Sequence, residues 1–95
     1  MANNITLQTI IQKTDQELLT SKVADDLMMM NIEKGTYLVL NKTGRIIWDL
    51  IETPIEVNTL INHLMGRYEI SKEDCERDTL PCLEKMYEEN IIKLY

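Results

Sequence analysis

Hydrophobic residues in the first third of the chain fall into short blocks that are typical of β-strands. Residues 6–13 (TLQTIIQK) predict a first strand, and residues 27–32 (LMMMNI) predict a deformable core strand buried on both faces. Residues 15–25 are polar and give no clear prediction. Residues 33–35 (EKG) predict a hairpin loop into Thr36–Leu40 (TYLVL), with positive φ at the glycine. We therefore expect a three-stranded antiparallel sheet.

The pattern changes to a helical period after this last strand. Asn41 is the predicted N-cap, because its side chain can accept hydrogen bonds from the first free amides of a helix. The following apolar face consists of Ile46, Ile47, Leu50 and Ile51, with Trp48 beside it. Pro54 is expected to end this first helix.

The second helix has the clearest amphipathic period in the chain. Its apolar residues recur at spacings of three and four, at Val57, Leu60, Ile61, Leu64, Met65 and Tyr68. His63 lies off this stripe and is predicted to be a surface residue, not a general base. Ser71 with Asp74 then predicts a capping box for a third helix that runs to about residue 90.

The third helix carries two apolar stripes. Leu80, Leu83, Tyr87 and Ile91 form the first stripe, and Cys75, Thr79, Cys82 and Met86 form the second, displaced around the axis. A helix at the edge of a small domain needs one stripe for its own core. The second stripe fits either burial over a wide arc or the wall of a groove that faces another molecule. Pro81 removes a helical amide and predicts a bend near the middle.

Size and charge restrict the classes of function. A chain of 95 residues predicts a single domain over residues 1–95, too small for a large buried catalytic site. A net charge of -6, from 10 basic and 16 acidic residues, opposes the binding of nucleic-acid phosphates. No stretch approaches the roughly 20 apolar residues of a membrane span. The N-terminus lacks the features of a secretion signal, so we expect a cytoplasmic protein.

Residues suited to metal binding, redox chemistry or catalysis are few. Cys75 and Cys82 lie about 10 Å apart along a predicted helix, beyond disulfide reach. Two thiols and the single His63 are too few for a structural zinc site. We interpret both cysteines as packing residues and expect no metal and no cofactor. No catalytic pair or triad has mechanistic spacing, which argues against an enzyme.

Three strands and three helices, with a hairpin packed against the helices, are the layout of a winged helix-turn-helix, an α+β fold. That fold often reads DNA with a basic helix. Here the third helix begins KEDCERD, and its four carboxylates would repel phosphate. A transcription regulator is an alternative interpretation, but the basic recognition helix that it requires is missing from the sequence.

Two segments resemble the PqqD-like family of peptide-recognition domains from ribosomal peptide natural-product pathways. They are GTYLVLNKTGRIIWDLIETPIEVNTLINHLMGRYEIS and CERDTLPCLEKMYEENII. The shared features are the hairpin glycine, an apolar strand ending in Leu-Asn, Thr-Gly before Ile-Trp, a helix ending in Arg-Tyr, and a last helix with Asp then Leu. LIETPIEV and Cys75 are more similar to the small leader-binding protein of lasso-peptide pathways. Departures are Glu56 in place of a Ser or Thr cap, Asn90 in place of Gly, and Pro81.

The resemblance implies a non-catalytic binding function. The strand Thr36–Leu40 is expected to pair with the leader segment of a precursor peptide, which then lies against the last helix. Further implied partners are a leader peptidase and a cyclase, or alternatively another peptide-modifying enzyme such as a radical SAM enzyme. The implied peptide-binding residues are Thr36, Tyr37, Leu38, Val39, Leu40, Cys75, Asp78, Thr79, Cys82, Lys85 and Met86. For Lys85 and Tyr87, the sequence is equally consistent with a role in specificity and with an ordinary place on the surface or in the core.

We predict that the protein does not bind duplex DNA in a sequence-dependent manner. The net charge of -6 and the acidic start of the third helix oppose approach to phosphate. A fluorescence-anisotropy titration at moderate salt against a pool of duplexes should show no saturable binding. Tight binding to one duplex and not to a scrambled duplex would contradict the prediction.

Overall fold

The computed structural model of the protein describes residues 5–14 and 18–95. Six strands and three helices lie within these residues and form an α+β fold, which confirms the predicted class. The strands are β1 (Ile10–Lys13), β2 (Leu18–Val23), β3 (Asp26–Asn31), β4 (Thr36–Leu40), β5 (Ile55–Glu56) and β6 (Ile92–Leu94). The helices are α1 (Lys42–Leu50), α2 (Val57–Tyr68) and α3 (Lys72–Glu88). In the described part of the chain, no helix has the length and apolar character needed to cross a bilayer.

The first sheet is antiparallel and has the order β2-β3-β4. The predicted hairpin between β3 and β4 is present, and its Gly35 has φ of +67°. Side chains alternate along β3, where Met29 is 1 % exposed and Met28 is 38 % exposed. The prediction that residues 27–32 are buried on both faces is therefore wrong. Helix α1 packs against β3 and β4, and alternate side chains of these two strands are exposed.

Strand β2 has no counterpart among the predicted strands. It pairs with β3 along its whole length and joins it through a two-residue turn in which Ala24 has φ of +55°. Five of its six residues are exposed, so no hydrophobic alternation marks it in the sequence. Pairing with the apolar β3 makes this segment a strand, although neither of its faces is well buried.

The second sheet has the order β5-β1-β6 and holds the two ends of the chain together. Strand β1 begins at Ile10, because residues 6–9 form a turn closed by a bond from the Thr9 amide to the Thr6 carbonyl, 3.2 Å. Ile11 in β1 is fully buried. The expectation that residues 6–13 belong to the same sheet as the hairpin is therefore wrong. The three-stranded sheet that includes the hairpin contains β2 in place of residues 6–13.

The same N-terminal segment satisfies the first amides of α2. Glu56, the N-cap residue, makes no side-chain capping bond. The Val57 amide donates instead to the Thr9 carbonyl, and the Asn58 amide donates to the Leu7 carbonyl, both at 2.9 Å. A tertiary contact thus takes the place of a side-chain cap.

The predicted N-terminal caps of α1 and α3 are present as local side-chain hydrogen bonds. Asn41 Oδ1 accepts from the Gly44 amide at 2.9 Å, and Ser71 Oγ accepts from the Asp74 amide at 3.1 Å. After α3, Asn90 takes a left-handed conformation with φ of +61°. Asparagine tolerates this conformation better than most residues.

Both apolar stripes of α3 contribute to the core. Leu83 on the first stripe and Met86 on the second are fully buried, and Cys75 and Thr79 are each 1 % exposed. The helix packs against α2 and β6 and continues through Pro81 to Glu88. Burial over a wide arc, the first of the two alternatives, therefore accounts for most of the second stripe.

We predict that Met86→Ala lowers the free energy of unfolding by about 2–5 kcal/mol, because it leaves a cavity at a fully buried position. Tyr87→Ala is the neighbouring control, since Tyr87 is 38 % exposed and should cost much less. Urea denaturation followed by circular dichroism measures both values. Equal, small losses for the two variants would contradict the placement of Met86 in the core.

Candidate functional site

Within the described chain, one edge of β4 pairs with no other strand. The sheet order places β4 at the end, where β3 is its single neighbour. In an antiparallel strand, the N–H and C=O groups of alternate residues point away from the paired neighbour. The outward side chains of Tyr37 and Val39 are 64 % and 56 % exposed. This edge can therefore accept a further extended chain.

A groove lies between β4 and α3 and widens along the strand. At the start of β4, the space lined by Thr36 and Glu89 encloses about 10 Å³. At the end of β4, a pocket of about 210 Å³ lies between the last three strand residues and the α3 residues Cys82 and Lys85. It continues past Asn41 into a pocket of about 380 Å³. We call these two wider pockets the β4–α3 groove.

Four residues on α3 form one wall of the β4–α3 groove. Asp78, Pro81, Cys82 and Lys85 follow a spacing of i, i+3, i+4 and i+7, which places them on one face of the helix. This face is displaced from the second apolar stripe and shares only Cys82 with it. The wall is consequently mixed in polarity and not wholly apolar.

A third pocket, of about 270 Å³, adjoins the groove and shares Thr43 and Asp78 with it. We call it the Asp78 pocket. Leu64, Tyr68 and Ile70 contribute apolar wall, and the remaining lining residues are Cys75 and Thr79. The start of α1, the end of α2 and the first half of α3 thus meet around one opening beyond the end of β4.

The structure places the predicted binding residues in three groups. Six line the β4–α3 groove: Leu38, Val39, Leu40, Asp78, Cys82 and Lys85. Thr36 and Tyr37 lie at its narrow end, and Cys75 and Thr79 line the Asp78 pocket. Met86 is fully buried, so the prediction that a guest and not the core covers it is wrong. The helix closes onto the core at this C-terminal position.

Several lining residues were not among the predicted ones. They are Asp26, Asn41, Thr43, Leu64, Tyr68, Ile70, Arg77 and Pro81. Asn41 and Pro81 had been noted only for their effects on helices, as a cap and as a bend. Asp26 reaches the groove because its strand is the antiparallel neighbour of β4, a relation that spacing along the chain does not reveal.

The two cations that line the groove are both paired with carboxylates, one in α3 and one at its C-cap. Arg77 forms a salt bridge with Asp74, and Lys85 Nζ lies 3.5 Å from Glu89 Oε1. Both pairs are largely solvent-exposed, so each adds little to stability. They nevertheless reduce the positive charge that the groove presents to a guest.

The two cysteines occupy different environments, and neither forms a disulfide. Cys75 is buried, with its Sγ 3.8 Å from the Ile61 carbonyl oxygen and 3.7 Å from Thr79 Oγ1. Cys82 is half-buried where the two pockets of the groove meet. Burial raises the pKa of the Cys82 thiol. Cys82 is therefore a neutral, weakly polar part of the groove wall at neutral pH.

Tyr68 contributes an unpaired polar atom beside the Asp78 pocket. Its hydroxyl oxygen is inaccessible to solvent and has no hydrogen-bond partner among the described residues. A buried hydroxyl without a partner costs about 1–3 kcal/mol. A small movement that gives the Tyr68 hydroxyl a hydrogen-bond partner would therefore lower the free energy of the site.

Two comparisons with known proteins find matches, one with a protein family and one with a solved structure. The sequence profile of coenzyme PQQ synthesis protein D (PqqD) matches residues 26–92. A solved structure, described as TbiB1 in complex with the TbiA(beta) leader peptide, superposes with a TM-score of 0.72. It is 20 % identical in sequence, and the match covers 86 % of this chain and 94 % of that chain. A search of curated protein sequences finds no significant match.

We predict that Cys82 is alkylated more slowly by iodoacetamide at neutral pH than the thiol of free cysteine. Only the thiolate reacts, and the raised pKa of Cys82 keeps the thiol protonated up to a higher pH. Mass spectrometry of native protein over a pH series should place the midpoint of the rate above about 8.5, the ordinary thiol value.

Cys82→Ala is the matched control, because the remaining Cys75 is buried and should react only after unfolding. A midpoint for Cys82 at or below that of free cysteine would contradict the burial of its thiol.

Proposed function

We propose that this chain, which belongs to the PqqD family, binds the leader segment of a ribosomally made precursor peptide. The leader adds to the free edge of β4 as a further strand and lies in the β4–α3 groove. The observation that carries the proposal is the coincidence of an unpaired apolar strand edge with a groove that opens along it. We also propose that residues 1–95 form a single domain that carries this function.

Strand addition suits a partner that must accept an extended peptide. Backbone hydrogen bonds to β4 would set the register and supply affinity, while side-chain pockets would choose among sequences. A guest strand continues the alternation of the sheet. One set of its side chains enters the β4–α3 groove on the side of Leu38 and Leu40, and the other set lies beside Tyr37 and Val39.

A partner strand also accounts for the composition of the edge. An exposed apolar strand edge is a site of aggregation unless something covers it. In β4, Tyr37 and Val39 are exposed and no charged residue or proline interrupts the strand. Retention of such an edge is reasonable if a guest peptide pairs with it during function.

We further propose that the chain is a non-catalytic recognition protein that presents the precursor to separate enzymes in the cytoplasm. TbiB1, which the fold resembles, is described in complex with a leader peptide. This supports a lasso-peptide pathway, with a leader peptidase and possibly a cyclase as the enzymes that act next. The family description, coenzyme PQQ synthesis, supports a second candidate, in which the enzyme is a different peptide-modifying enzyme, such as a radical SAM enzyme. The reading frames beside the gene distinguish the two candidates.

We predict that a leader peptide protects alternate amides of β4 from hydrogen exchange. The probe is a synthetic peptide with the N-terminal half of the precursor encoded beside this chain. Its backbone would bond only to those amides that point away from β3, so every second residue of β4 should exchange more slowly. Exchange measured by NMR on ¹⁵N-labelled protein, with and without the peptide, gives the pattern.

The β2 amides on the opposite edge of the same sheet are the internal control, since they should keep their exchange rates. Protection that is uniform along β4, or that occurs on β2 instead, would indicate apolar capture without strand addition. Either pattern would overturn the proposal.

A further inference from the structure

Within the described residues, two carboxylates line the groove without an ion-pair partner, whereas both of its cations have one. Asp26 and Asp78 both line the β4–α3 groove. Neither carboxylate has an ion pair or hydrogen bond with any residue in 5–14 or 18–95. The lining cations Arg77 and Lys85 are both paired. The groove therefore presents two exposed carboxylates, unpaired in the described part of the chain, to a guest, in a chain whose net charge is -6.

Asp78 lies where this charge meets an apolar cavity. It lines both the groove and the Asp78 pocket, whose opposite wall includes Leu64, Tyr68 and Ile70. Thr43 is the other residue common to the two pockets and adds a hydroxyl near the opening. The pocket thus combines an apolar wall of several side chains with one unpaired anion at its boundary.

Lysine and arginine side chains match this combination. Each has an apolar stem that can be buried along hydrophobic surface and a cationic head that donates hydrogen bonds. The stem would contact the pocket wall while the head meets Asp78. An acidic side chain would be repelled by Asp78, and a purely apolar one would cover the carboxylate without pairing it.

Tyr68, which lines the pocket, carries a second acceptor that is out of contact with solvent in the free protein. Its hydroxyl is enclosed and has no partner among the described residues. A shift of the ring that admits a guest side chain would bring this oxygen to an N–H donor. Entry of a basic residue would then satisfy a group that stays unpaired in the free protein.

We infer that the Asp78 pocket is a specificity subsite that receives one lysine or arginine side chain of the guest peptide, with Asp78 pairing its cationic head. This inference rests on the proposed function, because it assumes a guest strand on β4 that continues past Asn41 into the pocket.

The test begins with peptide selection. A display library of random linear peptides is selected on the wild-type protein, on Asp78→Asn and on Glu88→Gln. Glu88→Gln is the matched control, because Glu88 is an exposed carboxylate of α3 that lines none of the described pockets. Peptides selected on the wild type and on Glu88→Gln should share a basic residue at one fixed position. Peptides selected on Asp78→Asn should lose that preference and keep their apolar positions.

Calorimetric titration of one selected peptide then locates the basic residue. Its replacement by leucine should weaken binding to the wild type about tenfold and leave binding to Asp78→Asn nearly unchanged. Tyr68→Phe should melt at the same or a higher temperature than the wild type, because an unpaired buried hydroxyl is removed. It should nevertheless bind the basic peptide several-fold more weakly and the leucine peptide equally well.

The outcomes separate the subsite from the proposed function. Peptides that protect alternate β4 amides but carry no fixed basic residue would overturn the subsite alone. So would a basic preference that survives in Asp78→Asn, or equal affinity of Tyr68→Phe and wild type for the basic peptide. If no peptide is selected, or if those selected leave β4 amides unprotected, the proposed function and the subsite both fail.

Discussion

The antiparallel pairing of β1 with β6 is the interaction on which the shape of the site depends. Strand β6 directly follows the buried Ile91, so its pairing with β1 holds the C-terminal end of α3 against the core. A bond of 2.8 Å from the Tyr95 amide to the Ile10 carbonyl extends this attachment to the last residue. The narrow end of the space beside β4 lies at this attached end of α3, where Glu89 lines it. The groove opens towards the other end of the helix.

The same N-terminal segment connects the site to α2. Carbonyls of Leu7 and Thr9 accept from the first two amides of α2, and the Lys13 amide donates to the Ile51 carbonyl after α1. The segment therefore contacts the ends of all three helices through backbone bonds, directly or through β6. These contacts need little from the side chains involved, which is consistent with the irregular hydrophobic pattern of the N-terminus.

The division of α3 between core and site explains its unusual composition. One side of the helix, with Leu83 and Met86, supplies the core on which folding depends. The adjoining face, from Asp78 to Lys85, forms the groove wall and is free to vary in polarity. Cys82 lies at the boundary, half-buried with a protonated thiol, so it can contact a guest without the desolvation cost of a charged residue. Asp78 on the same face lies where the groove meets the Asp78 pocket.

Local features of this protein followed from the sequence alone. Asn41, Ser71 and Gly35 act through bonds or backbone angles within three or four residues, so their roles were readable from spacing. The period of α2 likewise predicted its bounds and its buried face. The strand Thr36–Leu40 was predicted from its apolar run, whereas six of the residues that line the groove were implied by the family resemblance.

Pairing and packing between segments were decided by the tertiary structure. Residues 18–23 form the strand β2 because they pair with β3. Strand β1 belongs to the second sheet because it pairs with β6 near the C-terminus. The face of α3 that lines the groove depends on the rotation of the helix about its axis. Two apolar stripes less than a half-turn apart both suit a core, so their spacing could not show that Met86 is fully buried and Cys82 only half-buried. That rotation is set by the packing of α3 against α2 and β6, and β6 is in turn held by β1, which is distant in sequence.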